Sequence, residues 1–119
     1  MSRSISIWYK QEDTDIDIEV GNRDLFGTQS SSKEFWSLDS LQEFGIKELT
    51  HLGYTDPVWF IGWENLKVLE NEISILEKNQ DQIDFHQELK NRWIENLRFC
   101  FEKLVELAPS DSVPNFMIG

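Results

Sequence analysis

The first twenty residues alternate apolar and polar side chains in two runs, and this pattern constrains the fold more than any other feature. The apolar residues on one face of the first run are Ile5, Ile7 and Tyr9. After the polar residues 10–12, the second run carries the β-branched residues Thr14, Ile16, Ile18 and Val20. Because successive side chains of a strand point to opposite faces and β-branched residues favour strands, the two runs predict an N-terminal hairpin.

The following segments predict one loop and about three helices. Residues 22–37 show no clean period and contain Gly27 and a serine cluster, which predicts a long loop, a frequent place for function. Apolar residues then recur every three or four positions within 38–52, 63–76 and 84–107, which is typical of amphipathic helices. Gly45 weakens the first of these helices.

Two further apolar segments complete the predicted sheet. Val58–Ile61 follows the Asp56-Pro57 turn and predicts a buried strand. Residues 113–119 predict an edge strand, because Pro114 lacks an N–H donor. This order of elements is typical of an α+β fold, with a small, mainly antiparallel sheet and the helices on one face. With no linker or repeat, residues 1–119 are expected to form a single domain.

The charge of the chain excludes several classes of partner. Its 22 acidic and 11 basic residues give a net charge of -11. Nucleic acids and anionic membranes attract clustered Lys and Arg, so neither is an expected partner. The chain has no apolar run of about 20 residues, no apolar signal-peptide block and a single Cys. We therefore expect a cytoplasmic protein.

The densest charge cluster alternates with the apolar residues of the second run. Its carboxylates are Asp13, Asp15, Asp17 and Glu19. On a strand they share one face about 6.5–7 Å apart. Each adjacent pair then repels by roughly 0.6–2.5 kcal/mol at a dielectric constant of 20 to 80. Two interpretations stay open: a solvated surface relieved by Arg3, Lys10 or Arg23, and an anionic strip that docks a cationic partner.

Residues suited to catalysis or metal binding are sparse. Cys100 lies in the apolar stripe of the last helix, where thiols are usually buried and unreactive. His51 and His86 are isolated from each other. A calcium loop starting at Asp13 fails, because Ile18 stands where the sharp turn requires Gly. Without a phosphate-binding or nucleophile motif, we expect no enzyme, no cofactor and no metal.

Tryptophan supplies the candidate anchors of a binding surface. Trp59, Trp63 and Trp93 fall on predicted buried faces. Trp8 points away from the apolar face of its run, and Trp36 ends the polar loop; core burial is the alternative for both. Aromatic anchors within a charged rim are typical of interface hot spots. The candidate partner-binding residues are therefore Trp8, Asp13, Asp15, Asp17, Glu19 and Trp36.

The layout and charge resemble those of immunity proteins of bacterial toxin systems. The resemblance is carried by residues 5–9 (ISIWY), 15–21 (DIDIEVG) and 63–73 (WENLKVLENEI). It implies a protein that neutralises a cognate toxin, often a basic nuclease, by blocking its active site or substrate groove. The resemblance carries over no set of binding residues.

Two other functions are weighed beside an acidic inhibitor. The first is a structural or self-assembling module that pairs through an apolar patch of the last helix, where Phe99 lies off the main stripe, or of the C-terminal segment. The second is an enzyme in which the fold brings His51 or His86 to a desolvated carboxylate.

Overall fold

Strands and helices fill most of the chain. The computed structural model describes residues 2–21 and 25–119, which hold five strands and four α-helices. The strands are Ser2–Gln11 (β1), Thr14–Ile18 (β2), Leu25–Thr28 (β3), Val58–Ile61 (β4) and Val113–Ile118 (β5). The α-helices are Gln29–Trp36 (α1), Asp39–Glu43 (α2), Trp63–Lys78 (α3) and Gln87–Leu107 (α4). Two 3₁₀ helices span Leu49–Gly53 and Gln80–Gln82. No helix in the described ranges is long and apolar enough to cross a membrane.

The N-terminal hairpin predicted from the alternation is confirmed. β1 and β2 pair antiparallel, and Gln11 lies opposite Thr14 beside the turn. The turn consists of Glu12 and Asp13, whose φ angles of 50° and 65° are both left-handed. Two residues with positive φ match the right-handed twist of the flanking strands. Asp13 therefore lies in the turn and not on the strand.

The C-terminal strand is central, so the prediction of an edge strand is wrong. In the described part of the chain the main sheet has the order β2-β1-β5-β4, and β3 pairs with β1. The N–H of Gly119 donates to the oxygen of Ser4, which places the backbone of Pro114, opposite Tyr9, on the side facing β4. There β4 has already ended, and the oxygen of Pro114 accepts the N–H of Gly62 at 2.9 Å. The missing N–H of Pro114 therefore costs no bond to β1.

One face of the sheet packs against the helices and forms the core. The strands contribute these buried apolar side chains to the core: Ile5, Ile7, Val58, Phe60, Phe116 and Ile118. α3 and α4 bury residues spaced by three or four positions: Leu66, Leu69, Ile73, Leu76, Trp93, Leu97, Cys100 and Leu104. Removal of this apolar surface from water is the main driving force for folding. The predicted α+β fold, with a small antiparallel sheet and helices on one face, is confirmed.

The loop predicted for residues 22–37 is wrong from residue 25 onward, and residues 22–24 lie outside the described ranges. β3 and α1 occupy this segment. Thr28 caps α1, because its Oγ1 accepts the N–H of Ser31 at 3.1 Å. Ser32 is buried, and its Oγ accepts a bond from Nη1 of Arg3 at 3.1 Å. The serines that resembled a loop therefore stabilise and pack a helix.

The helix predicted within residues 38–52 is interrupted at Gly45. α2 ends at Glu43, and Gly45 has a φ of 104°, a conformation that glycine adopts without strain. Beyond it, the buried carboxylate of Glu72 on α3 accepts three backbone N–H groups. The donors are Lys47 at 3.2 Å, Glu48 at 2.9 Å and Leu49 at 2.9 Å. The carboxylate of a residue on α3 thus accepts the hydrogen bonds of the free amides at the start of the 3₁₀ helix Leu49–Gly53.

Candidate functional site

The candidate site lies on the face of the sheet opposite the core, which we call the outer face. One row of residues crosses all four strands of the main sheet. In this row, Asp17 of β2 lies opposite Trp8 of β1, and Trp8 also lies opposite Asn115 of β5. Asn115 in turn lies opposite Ile61 of β4. The outer face therefore changes from a charged outer strand to an uncharged one.

Four exposed carboxylates lie along β2 and at its two ends, and we call them the acidic patch: Asp13, Asp15, Asp17 and Glu19. The positions predicted for Asp15 and Asp17, on the face away from the apolar residues of β2, are confirmed. Asp13 is in the turn and Glu19 follows the end of β2, so their predicted positions on the strand are wrong. The patch therefore bends around an outer strand, where water reaches every carboxylate.

One of the cations expected to relieve repulsion lies beside the acidic patch. Lys10 is exposed on β1 and lies opposite Asp15. Arg23 lies outside the described ranges. The prediction that Arg3 relieves this repulsion is wrong, because its side chain has no exposed surface and cannot screen the acidic patch.

Arg3 instead connects β1 to the segments before β4. Its Nη1 donates to the oxygen of Leu52 at 2.7 Å, in addition to the bond with Ser32. Its Nε lies 3.6 Å from Oδ2 of Asp56. Burial lowers the pKa of Arg3, and the charge of Asp56 partly opposes this shift. The role of Arg3 is therefore structural.

Trp8 is half-buried beside the acidic patch, next to a cavity of about 450 Å³. The lining residues of this cavity include Trp8, Asp17 and Glu19, together with Ile7 of β1 and Ile18 of β2, whose side chains lie on the core face. An aromatic face attracts cations, and carboxylates accept strong hydrogen bonds from ammonium and guanidinium groups. The cavity is therefore suited to a cationic side chain.

Trp36, the second predicted anchor, belongs to the core. It is 1% exposed at the end of α1, and its ring packs edge-to-face on Phe35 with 4.8 Å between centroids. Phe35 also contacts the rings of Phe85 and Trp93. The predicted loop position of Trp36 is wrong. Trp36 is therefore not part of the candidate site, because a buried side chain cannot contact a partner.

Trp59 shows the opposite error, because the predicted burial of this residue is wrong. Trp59 is 58% exposed and Ile61 is 44% exposed, both on the outer face of β4. Val58 and Phe60, which alternate with them along β4, are buried. Four consecutive apolar residues indicate a strand that is buried on both faces, but helices cover one face of this sheet.

The structure shows the surroundings of the three residues considered for catalysis. Cys100 is buried, as predicted. Nδ1 of His51 lies 3.8 Å from Oε2 of Glu48, and both side chains are about half exposed. His86 is exposed at the N-cap of α4. Within residues 2–21 and 25–119, no group of three or more His, Cys, Asp or Glu residues is arranged to hold a metal ion.

A second cavity of about 450 Å³ lies along α3 and α4, and no local sequence pattern predicts it. Its lining includes Ile94 and the half-buried Phe99. Nε and Nη2 of Arg98 donate to the two carboxylate oxygens of Glu77 at 3.1 and 2.8 Å. These bonds raise the pKa of Arg98. Four glutamates and two cations, Arg98 and Lys103, line this cavity, so its net charge of -2 equals that of Asp17 and Glu19 beside Trp8. The cavity beside Trp8 differs in that no cation among the described residues lines it.

Comparisons with known proteins add no assignment to this geometry. No protein family, no curated protein and no solved structure matches the chain.

Proposed function

We propose that the protein binds a cationic protein partner through the acidic patch and Trp8, and so neutralises or sequesters it. The observation that carries this proposal is the cross-strand pair of Asp17 and Trp8 beside a cavity that Glu19 also lines. The carboxylates attract Lys and Arg of the partner, while the ring supplies apolar and cation–π contact. The proposal includes no catalytic step and no cofactor.

The net charge of -11 supports the proposal, because long-range attraction draws a cationic partner toward the protein. Such steering raises association rate constants toward about 10⁸–10⁹ M⁻¹s⁻¹ at low salt. It weakens as salt is added, since the Debye length is about 10 Å at 0.1 M. Short-range contact with Trp8 acts mainly on dissociation. The patch and the ring are therefore expected to control different rate constants.

The most concrete form of the proposal is an immunity protein that inhibits a toxin in the cytoplasm. It rests on the resemblance stated above, and two of the segments that carry it, residues 5–9 and 15–21, include Trp8, Asp15, Asp17 and Glu19. A basic nuclease is a fitting target, because its substrate groove attracts phosphate charge and the acidic patch presents a similar charge.

Partner capture followed by binding kinetics tests the proposal. The immobilised protein is exposed to lysate of its native cell and washed at about 50 and then 500 mM salt, which shortens the Debye length. Association and dissociation of the captured partner are then measured for Asp15→Lys/Asp17→Lys. The matched control is Glu34→Lys/Glu43→Lys, on exposed positions of α1 and α2. Two reversals add four charges, so both variants change from -11 to -7.

We expect the patch variant to associate at least about tenfold more slowly, with a flatter salt dependence, and the control to change by less than about twofold. Trp8→Ala should raise the dissociation rate at least about tenfold and leave the salt dependence unchanged. Equal association rates for the two double variants would contradict the proposal. Capture of nothing but the protein itself would favour a self-assembling module.

A further inference from the structure

We propose that β4 pairs edge to edge with β4 of a second copy of this chain and forms a symmetric dimer. β4 is the outer strand at the end of the sheet opposite the acidic patch. Its side chains alternate between the core and the outer face. This surface is separate from the one proposed to bind a cationic partner.

The backbone groups of Trp59 and Ile61 point away from the sheet. The N–H of Gly62 donates to the oxygen of Pro114 on β5. In an antiparallel ladder such bonds recur at every second residue, so Phe60 bonds to β5 and its two neighbours direct their N–H and C=O groups outward. In the described ranges no strand pairs with β4 on that side. The edge therefore presents a hydrogen-bonding template.

The middle of β4 lacks the features that usually protect an edge strand. Charged side chains and prolines block the pairing of edges, and β2 carries two aspartates. β4 carries four apolar residues, of which Trp59 and Ile61 are exposed. Pro57 precedes the strand, and Nδ2 of Asn65 donates to the oxygen of Ile61 at 2.7 Å. Pro57 lies outside the residues that would pair, and the oxygen of Ile61 has a second lone pair that can accept a further hydrogen bond.

The strand is complementary to itself. A two-fold axis perpendicular to the sheet brings Trp59 opposite Ile61 of the second copy, and the reverse pair is then identical. In this register the outward N–H and C=O groups of Trp59 meet those of Ile61. Directly opposed residues share a face, so each exposed ring packs beside an exposed isoleucine. Aromatic and β-branched pairs of this kind stabilise sheets.

Charge restricts where a second copy can bind. Two chains of charge -11 repel each other, so they associate best where neither is charged. β4 has no charged residue, and β2, three strand spacings away, lies about 14 Å from it. A cationic protein is instead drawn to the acidic patch. Salt screens repulsion between copies, so self-pairing should strengthen with salt, whereas binding of a cationic partner weakens.

Sedimentation equilibrium over an about hundredfold range of concentration, at low and high salt, tests the dimer by mass action. Trp59→Lys places a charge on the proposed interface. Val68→Lys makes the same change of charge at an exposed apolar position of α3, on the core side of the sheet. We expect Trp59→Lys to raise the dimer dissociation constant at least about tenfold and Val68→Lys to leave it unchanged. Circular dichroism verifies that both variants are folded.

Amide hydrogen exchange of the unmodified protein provides a second test that needs no variant. The amides of Trp59 and Ile61 should become protected as concentration and salt increase, while the amide of Phe60, bonded to β5, is protected throughout. A monomer at every concentration and salt would overturn the proposal and leave the edge to a strand of another protein. A dimer that Trp59→Lys does not weaken, or exchange at Trp59 that is independent of concentration, would also overturn it.

Discussion

The two outer strands of the sheet, β2 and β4, occupy equivalent positions but differ in chemistry. β2 carries Asp15 and Asp17 on the outer face, whereas β4 carries Trp59 and Ile61. Charges keep one edge from pairing with another acidic chain, and apolar residues do not. One small sheet therefore presents two kinds of surface, for which we expect opposite responses to salt.

The two strands also differ in what they contribute to folding. On the core side, Phe60 of β4 is 3% exposed, while Ile16 of β2 is 39% exposed. β2 therefore extends past much of the core, and its sequence is less constrained by packing. A strand that contributes little to the core can carry repelling carboxylates at low cost to stability, because water solvates them.

Truncation of side chains on the two faces of β4 should give the largest difference in the free energy of unfolding. Phe60→Ala should lower the free energy of unfolding by about 3–5 kcal/mol, because it leaves a cavity in the core. At concentrations at which the protein is monomeric, Trp59→Ala, on the outer face, should change it by less than about 1 kcal/mol. Urea denaturation of both variants measures the two values. Similar losses would show that β4 is buried on both faces.

A smaller difference in stability is expected between the loss of a buried carboxylate and the loss of one in the acidic patch. Glu72→Gln should destabilise the protein by about 2–3 kcal/mol, because three backbone amides lose a charged acceptor. Asp17→Asn should change stability by no more than about 0.5 kcal/mol. Thermal and urea unfolding provide the measurement. A loss at Asp17 as large as that at Glu72 would assign the patch a role in folding.

Conversion of β2 into an edge like β4 should have a smaller effect. Asp15→Val/Asp17→Val should strengthen self-association by about tenfold, equivalent to about 1.4 kcal/mol, and should add species larger than a dimer. The reason is that each chain then has two unprotected edges. Sedimentation velocity separates these species. The control Asp15→Asn/Asp17→Asn removes the same charge without adding apolar surface, and equal association of both variants would assign the effect to charge alone.

The smallest effect is expected at Lys10, the cation opposite Asp15. Lys10→Gln should destabilise the protein by no more than about 0.5 kcal/mol, since exposed cross-strand ion pairs contribute little. The loss should vanish at high salt, where screening removes the interaction. Melting curves at two salt concentrations measure it. A loss that persists at high salt would indicate a packing role for the side chain of Lys10.

Local patterns predicted the elements whose residues contact one another at short sequence separation. The hairpin, α3, α4 and the burial of Cys100 follow from periods of two or about 3.6 residues, and the structure confirms them. The same alternation predicts that Trp8 points away from the apolar face of its run, and the structure places Asp17 opposite Trp8 on that side. β3 and α1 were missed because their apolar pattern is short, and a serine cluster resembles a loop as much as a helix start.

Local sequence patterns are sufficient to predict the α+β class, the strand pattern of the hairpin and the side of β2 on which Asp15 and Asp17 lie. Long-range contacts place β5 between β1 and β4, bury Trp36 while Trp59 stays exposed, and bring Glu72 to the amides of residues 47–49. The two groups of features differ in the sequence separation of the residues whose contacts produce them. Periodicity reports how a segment divides its own side chains between two faces, but which face another element covers depends on contacts between residues distant in the chain.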